Sequence, residues 1–250
     1  MSDFDDRTSP EASAGSDLSA GADLPALLAH ARALVGVDLG ELADRLGSDV
    51  PAPGAIRDRS KGWAGQIIER ELGVDPDGRR GPDFAHLGIE LKTVPVDARG
   101  VPRESTAVCQ IDPIAIAGES WETSTVRHKL GRVLFVAVAW PDLDHAVVER
   151  RISAVRLWTP SPAEERLLAA DFERFVRDYF RRGRAAAITG HLGQVLQVRP
   201  KGKNAADVRA AFDENGLPTR VGRMGFYLRP GFVRGILEPA IAAGHPTGER

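Results

Sequence analysis

Apolar residues recur with a helical period at the start of the chain and with a strand period further on. Residues 24–35 (LPALLAHARALV) predict an apolar helix. Asp38 with Glu41 has the spacing of a capping box and predicts a second short helix through Leu46. Residues 47–60, with Pro51, Pro53 and Gly54, read as a connector. A third helix is expected over about 63–72, with Trp63, Ile67, Ile68 and Leu72 as its apolar side. The period then changes. Residues 87–94 and 105–111 alternate, and a turn around Gly100 predicts that they pair as antiparallel strands. Residues 132–139 (RVLFVAVA) are a continuous apolar run suited to a central strand, and 154–158 reads as another. Ser161, Pro162 and Glu164 open a helix that reaches Phe180 and stops at Gly183. A strand at 194–198, a helix capped by Asn204 and running to about Phe212, a short strand at 225–229 and a helix over 231–243 interrupted at Pro239 complete the pattern. The class is α/β or α+β with a mixed sheet and no internal repeat.

Composition narrows the field. With 250 residues and 42% hydrophobic content the chain can bury a full core. It has no apolar run near the ~18 residues a membrane span needs and no visible secretion signal. A single cysteine, Cys109, excludes an internal disulfide and a cysteine-rich zinc site. The expectation is a cytoplasmic protein with no membrane association. Residues 1–22 read as a disordered acidic tail, residues 23–243 as the folded part and residues 244–250 as a flexible C-terminus.

The net charge of −2 does not by itself suggest nucleic acid, but the charge is unevenly placed. The first 23 residues carry six acids against Arg7 alone, while arginines and lysines crowd the last third. A basic face can bind phosphate on a near-neutral chain. Of 33 basic residues only five are lysine: Lys61, Lys92, Lys129, Lys201 and Lys203. In a chain that defaults to arginine, a lysine marks a place where a compact or titratable charge is wanted.

The stretch Gly81-Pro82-Asp83-Phe84-Ala85-His86-Leu87-Gly88-Ile89-Glu90-Leu91-Lys92 carries candidate chemistry. On a strand, Glu90 and Lys92 share one face while Ile89 and Leu91 point to the core. Asp83 precedes the strand, where a loop can fold its carboxylate back toward Glu90. Two carboxylates and an ammonium then converge, the set that phosphodiester hydrolysis needs. Asp83 and Glu90 can hold Mg²⁺, and Lys92 can orient or deprotonate a water and offset transition-state charge. The pattern alone is loose and also fits a strand with a charged exposed face. Glu69 on the third helix and Lys129 just before the central strand can reach the same point. Cys109 alternates with Ala107 and Ile111 as a buried small hydrophobe, and the four tryptophans read as packing.

Several longer segments occur in a telling order: Lys61-Gly62-Trp63-Ala64-Gly65-Gln66, Gly88-Ile89-Glu90-Leu91-Lys92-Thr93, Trp121-Glu122-Thr123-Ser124, Val126-Arg127-His128-Lys129-Leu130, Arg199-Pro200-Lys201 and Gly225-Phe226-Tyr227-Leu228. Together they resemble the MutH family over residues 24 to about 240. The resemblance implies a restriction-endonuclease-like fold, a mixed β-sheet flanked by helices, with an N-terminal catalytic lobe and a C-terminal DNA-reading lobe forming a cleft. It implies a monomeric, Mg²⁺-dependent endonuclease of mismatch repair. Such an enzyme nicks the unmethylated strand of double-stranded DNA at hemimethylated GATC, 5′ of the G, and is switched on by a MutL-type protein loaded by MutS. By that resemblance Asp83, Glu90 and Lys92 are the catalytic trio, with Asp83 and Glu90 as metal ligands, and Glu69 and Lys129 are accessory active-site residues. Arg199 and Pro200 read the sequence, Arg199 by pairing with guanine O6 and N7, and Tyr227 senses adenine methylation. Lys201 and Lys203 suit phosphate contacts, which position without specifying. Ala107 departs from the family, whose members carry phenylalanine there. Two other functions remain open at this point: a type II restriction endonuclease of the same family that cuts both strands of GATC, and a DNA-binding module without catalysis.

Overall fold

The computed structural model describes residues 23–51, 57–74, 81–140 and 146–244. The expected acidic tail and nearly all of the expected flexible C-terminus lie outside these residues, as does part of the 47–60 connector.

Three helices open the fold. Helix α1 (Leu24–Ala33) starts at Asp23, whose Oδ1 accepts from the Ala26 N–H at 2.9 Å. Helix α2 (Leu39–Arg45) is capped in the same way by Asp38, but Glu41 does not complete a capping box; it turns forward to pair with Arg45 one helical turn on. Helix α3 (Arg57–Glu71) begins earlier than the apolar period predicted. Strands β1 (Glu90–Val96), β3 (Val133–Ala139) and β4 (Arg151–Trp158) form one sheet with β3 at its centre, parallel to β1 and antiparallel to β4.

The continuous apolar run of β3 is explained by burial on both faces. Leu134, Val136 and Val138 pack with Ile89 and Leu91 against Leu27, Leu42, Ile67 and Ile68 of α1–α3. Val133, Phe135 and Ala137 face a second core that extends to the C-terminal elements. There, strands β2 (Thr106–Gln110), β8 (Met224–Leu228) and β5 (Leu196–Pro200) form an antiparallel sheet in the order β2-β8-β5. Helix α5 (Pro162–Phe175) packs beneath it, with Phe172 and Phe175 in ring contact with Phe226 at 5.6 and 6.0 Å. Asp171 of α5 is buried, and its carboxylate accepts from the N–H groups of Gln194, Val195 and Leu196, which ties the entry of β5 to the helix.

The structure corrects the sequence reading at four places. The stretches at 87–94 and 105–111 do not pair with each other. Between them there is only the isolated bridge Val96–Pro102, because β1 pairs with β3 and β2 with β8. Gly100, at φ +76°, does supply the expected turn. The helix expected after Asn204 is a hairpin of β6 (Val208–Phe212) and β7 (Pro218–Gly222). Asn204 Oδ1 does accept from Ala206 N–H at 3.0 Å, but as a turn that leads into a strand; the local bond resembles a helix cap. Helix α6 (Pro230–Gly244) runs on through Pro239 without interruption. Finally, α5 passes into one π-helical turn over Val176–Phe180 before the chain turns at Gly183. The remaining short helix, α4 (Thr125–Leu130), leads into β3 and holds Lys129 in its last turn.

Candidate active site and DNA-reading face

The loop before β1 closes on itself. Phe84 N–H donates to Ile89 O at 2.8 Å, Ile89 N–H donates back at 3.3 Å, and Gly88 at φ +63° makes the reversal possible. This fold-back returns Asp83 to the strand it precedes. Its Oδ2 accepts from the backbone N–H of Leu91 at 2.7 Å, between Glu90 and Lys92. Glu90 is 2% exposed. Lys92 Nζ donates to its Oε1 at 2.5 Å, and Lys129 Nζ reaches Oε1 and Oε2 at 2.8 and 3.0 Å. A carboxylate this deeply buried is tolerable only when paired, and two ammoniums from different elements pair it.

Burial raises the Asp83 carboxyl above the usual carboxylate range; the Leu91 N–H opposes the shift, and the neighbouring Glu90 adds to it. Glu69 sits on the outer side of α3, yet shielding of its carboxyl group, followed by repulsion from Asp83 and Glu90, raises its pKa too. Glu69, Asp83, Glu90 and Lys92 therefore act on one another electrostatically, and Lys129 acts on Asp83 and Glu90. These carboxylates are hard oxygen donors whose mutual repulsion a divalent cation would relieve. Among the described residues no three His, Cys, Asp or Glu side chains are gathered as a ready-made metal cage. Mg²⁺ commonly takes one or two carboxylates and completes its shell with water and phosphate, so the residues present fit that ion.

The second sheet lies within electrostatic reach of this cluster, since Lys92 and Lys129 act on Cys109 of β2 and on Lys201 just beyond β5. Tyr227 lies directly across from Ala107 on one side and Gln197 on the other. Arg199 lies two residues beyond Gln197 on the same face, opposite Gly225. A Cβ at Gly225 would come within 2.7 Å of the Cys109 carbonyl oxygen, so only glycine fits there. Arg199 and Pro200 are exposed. Burial lowers the Lys201 pKa, and repulsion from Lys92, Arg223 and Lys129 reinforces it; its Nζ stands 5.8 Å from the Tyr227 ring centre. Burial raises the Tyr227 pKa, with nearby Arg199 opposing. Lys203 is exposed, in the loop that Asp207 closes by accepting from its N–H. An open cavity of about 650 Å³ borders Lys129, Gly81 and Thr123–Thr125 but stops short of Asp83, Glu90 and Lys92.

Cys109, on β2 between the two groups, has its thiol pushed up to about 11, chiefly by burial. Trp63, Trp121, Trp140 and Trp158 are all buried, as expected for packing residues. His86 and His128 are exposed. Sequence reasoning passed over Gln197 and Ser105, which bond to one another beside Arg199. The alternation along 195–199 puts Gln197 on Arg199's face, but nothing local to Ser105 points to a partner 94 residues away.

Residues 72–171 match the family model for the DNA mismatch repair enzyme MutH. The DNA mismatch repair protein MutH of Haemophilus ducreyi is 42% identical over 85% of this chain and 92% of its own length. That of Shewanella woodyi is 42% identical over 86% and 91%, and that of Vibrio cholerae 41% over 85% and 94%. The chain belongs to the MutH family. It is a DNA mismatch repair endonuclease, an enzyme that binds DNA and works with the repair system. The mixed sheet flanked by helices is the restriction-endonuclease-like fold of MutH, a nuclease type that generally uses a divalent metal. No described helix is long and apolar enough to cross a membrane.

Proposed function

We propose that this chain nicks the unmethylated strand at hemimethylated GATC, 5′ of the G, with Mg²⁺ as cofactor and Asp83, Glu90 and Lys92 as its catalytic trio. The observation that supports this reading best is the Asp83 bond to Leu91 N–H, which sets one carboxylate against the strand segment that carries the other carboxylate and the ammonium. Asp83 and Glu90 would hold the ion, which would polarise the scissile phosphate and make a bound water more acidic. Lys92 can swing from Glu90 to orient the attacking water and offset charge on the phosphate. Lys129 then keeps the Glu90 carboxylate compensated and oriented. Glu69 supports the same site from α3.

Arg199 is the guanine reader, and Pro200 stiffens the segment that presents it. Lys201 and Lys203 contact phosphate. Tyr227 meets adenine N6, where a methyl group changes the contact. Ala107 stands directly across from Tyr227, so where relatives present an aromatic ring this chain has only a methyl group beside its methylation sensor. The chain acts as a cytoplasmic monomer, with an N-terminal catalytic lobe and a C-terminal reading lobe, and a MutL-type protein activates it.

The test is incubation with Mg²⁺ and supercoiled DNA carrying GATC in unmethylated, hemimethylated and fully methylated form, followed by mapping of the cut. Nicked circles from the first two substrates, cut 5′ of the G, are expected. Linear product would instead indicate a double-strand cutter. Cleavage indifferent to GATC, or none with any divalent metal, would overturn the proposal.

A further inference from the structure

Arg199 is exposed, and a free arginine at that position would sample many rotamers, each of which would have to be given up on meeting a base edge. It is not free. Its Nη1 donates to the Ser105 hydroxyl oxygen at 3.0 Å. The same oxygen accepts from Nε2 of Gln197 at 2.5 Å, and Gln197 is 4% exposed. A serine hydroxyl has two lone pairs and one proton. With both lone pairs used by these two donors, the oxygen is fixed between a buried amide and the reading guanidinium.

Ser105 is itself held by the chain that leaves the catalytic strand. After β1 the Asp97 carboxylate accepts from the N–H groups of Arg99 and Val101, Asp97 N–H donates to Val101 O, and Arg103 N–H returns to Pro95 O at 3.0 Å. This closed loop delivers Ser105 to the start of β2. One hydroxyl thus joins the continuation of the strand carrying Glu90 and Lys92 to the arginine on β5.

We propose that Ser105 is a positioning residue for sequence reading, which acts through Arg199 by holding its guanidinium ready for a guanine edge before DNA arrives. The inference rests on the proposed role of Arg199 and adds to it the group that sets its geometry. Removal of the hydroxyl leaves Gln197 and Arg199 without their shared acceptor and lets the guanidinium wander. Recognition suffers while the chemistry at Glu90 and Lys92 continues.

The experiment uses full-length Ser105→Ala and Ser105→Thr on two short duplexes, one with a single GATC and one with both G·C pairs of that site replaced by A·T. For Ser105→Ala, KM on the GATC duplex is expected to rise about tenfold and the preference for GATC to fall about tenfold, with kcat changed less than about twofold. Ser105→Thr, which keeps the hydroxyl, is expected to restore both. A Ser105→Ala enzyme with wild-type KM and preference would overturn the proposal, as would an equal loss of kcat on both duplexes or failure of Ser105→Thr to rescue. Wild-type enzyme that cuts both duplexes equally would instead remove the sequence-reading assignment on which the proposal stands.

Discussion

At the start of β1, Glu90 is buried and both of its oxygens are taken by lysines, whereas on β5 Arg199 stands in solvent with its guanidinium bonded to one neutral hydroxyl. In the proposed function the two regions serve the same substrate under opposite constraints. A buried carboxylate must be compensated at every moment, and loss of one partner of such a pair costs about 3–5 kcal/mol. Its surroundings are therefore over-determined by a loop, a strand and a helix. A reading residue has to keep donors free for a base, so a partner that takes a single N–H can hold the guanidinium in place and leave the rest of its fork available. Glu90 is held by ion pairs, and Arg199 by a bond to an uncharged acceptor.

The comparison breaks first at Lys92. Lys92→Ala is expected to lower the nicking rate at least ~1000-fold, while DNA affinity in a gel-shift assay changes no more than about threefold. Comparable losses of affinity and rate would mean that the two regions are not functionally separate.

Cys109 lies on β2, within electrostatic reach of Lys92 and Lys129 on one side of the comparison and of Lys201 on the other. With its thiol at about 11, alkylation of the native protein at pH 8 is expected to be on the order of 100-fold slower than that of the unfolded chain. The sign for stability follows from proton binding. Between the unfolded thiol value and about 11 the folded state holds the proton and the unfolded state has lost it, so stability falls as pH rises through that window. Denaturant midpoints measured from pH 8 to 11 check this, and Cys109→Ala should flatten that part of the profile.

A smaller effect is expected on the reading side. Tyr227→Ser should narrow the preference for unmethylated over fully methylated GATC by roughly tenfold without a matching loss on unmethylated DNA. An unchanged ratio would take methylation sensing away from this face. The smallest change is expected at the N-terminus, where removal of residues 1–20 should leave nicking within about twofold. A larger loss would bring the acidic segment into the mechanism.

The candidate cluster of Asp83, Glu90 and Lys92 was legible because its logic is local. Glu90 and Lys92 are two apart on a strand, and Asp83 needs only a tight loop closed by Gly88 to return to them. Lys129 was a candidate from its place just before the central strand, but that its ammonium meets Glu90 was decided by tertiary packing at the α4–β3 junction. The β6–β7 hairpin was misread as a helix because the Asn204 bond looks the same at the start of either element. The expected pairing of the strands on either side of Gly100 failed for a related reason: a turn signal says that the chain reverses, not which strand it will join.

Local chemistry thus determined which side chains could do the work. The strand alternation and the scarcity of lysine among many arginines made Asp83, Glu90 and Lys92 candidates, and the resemblance of the longer segments singled them out, without any knowledge of the fold. Only the tertiary structure decided that β1 pairs with β3 and β2 with β8, and thereby that Ser105 and Gln197 meet Arg199. The reason is physical. Periodicity along a strand settles which face a residue occupies, but the neighbour across that face is chosen by burial of apolar surface over the whole chain, a sum that no local window contains.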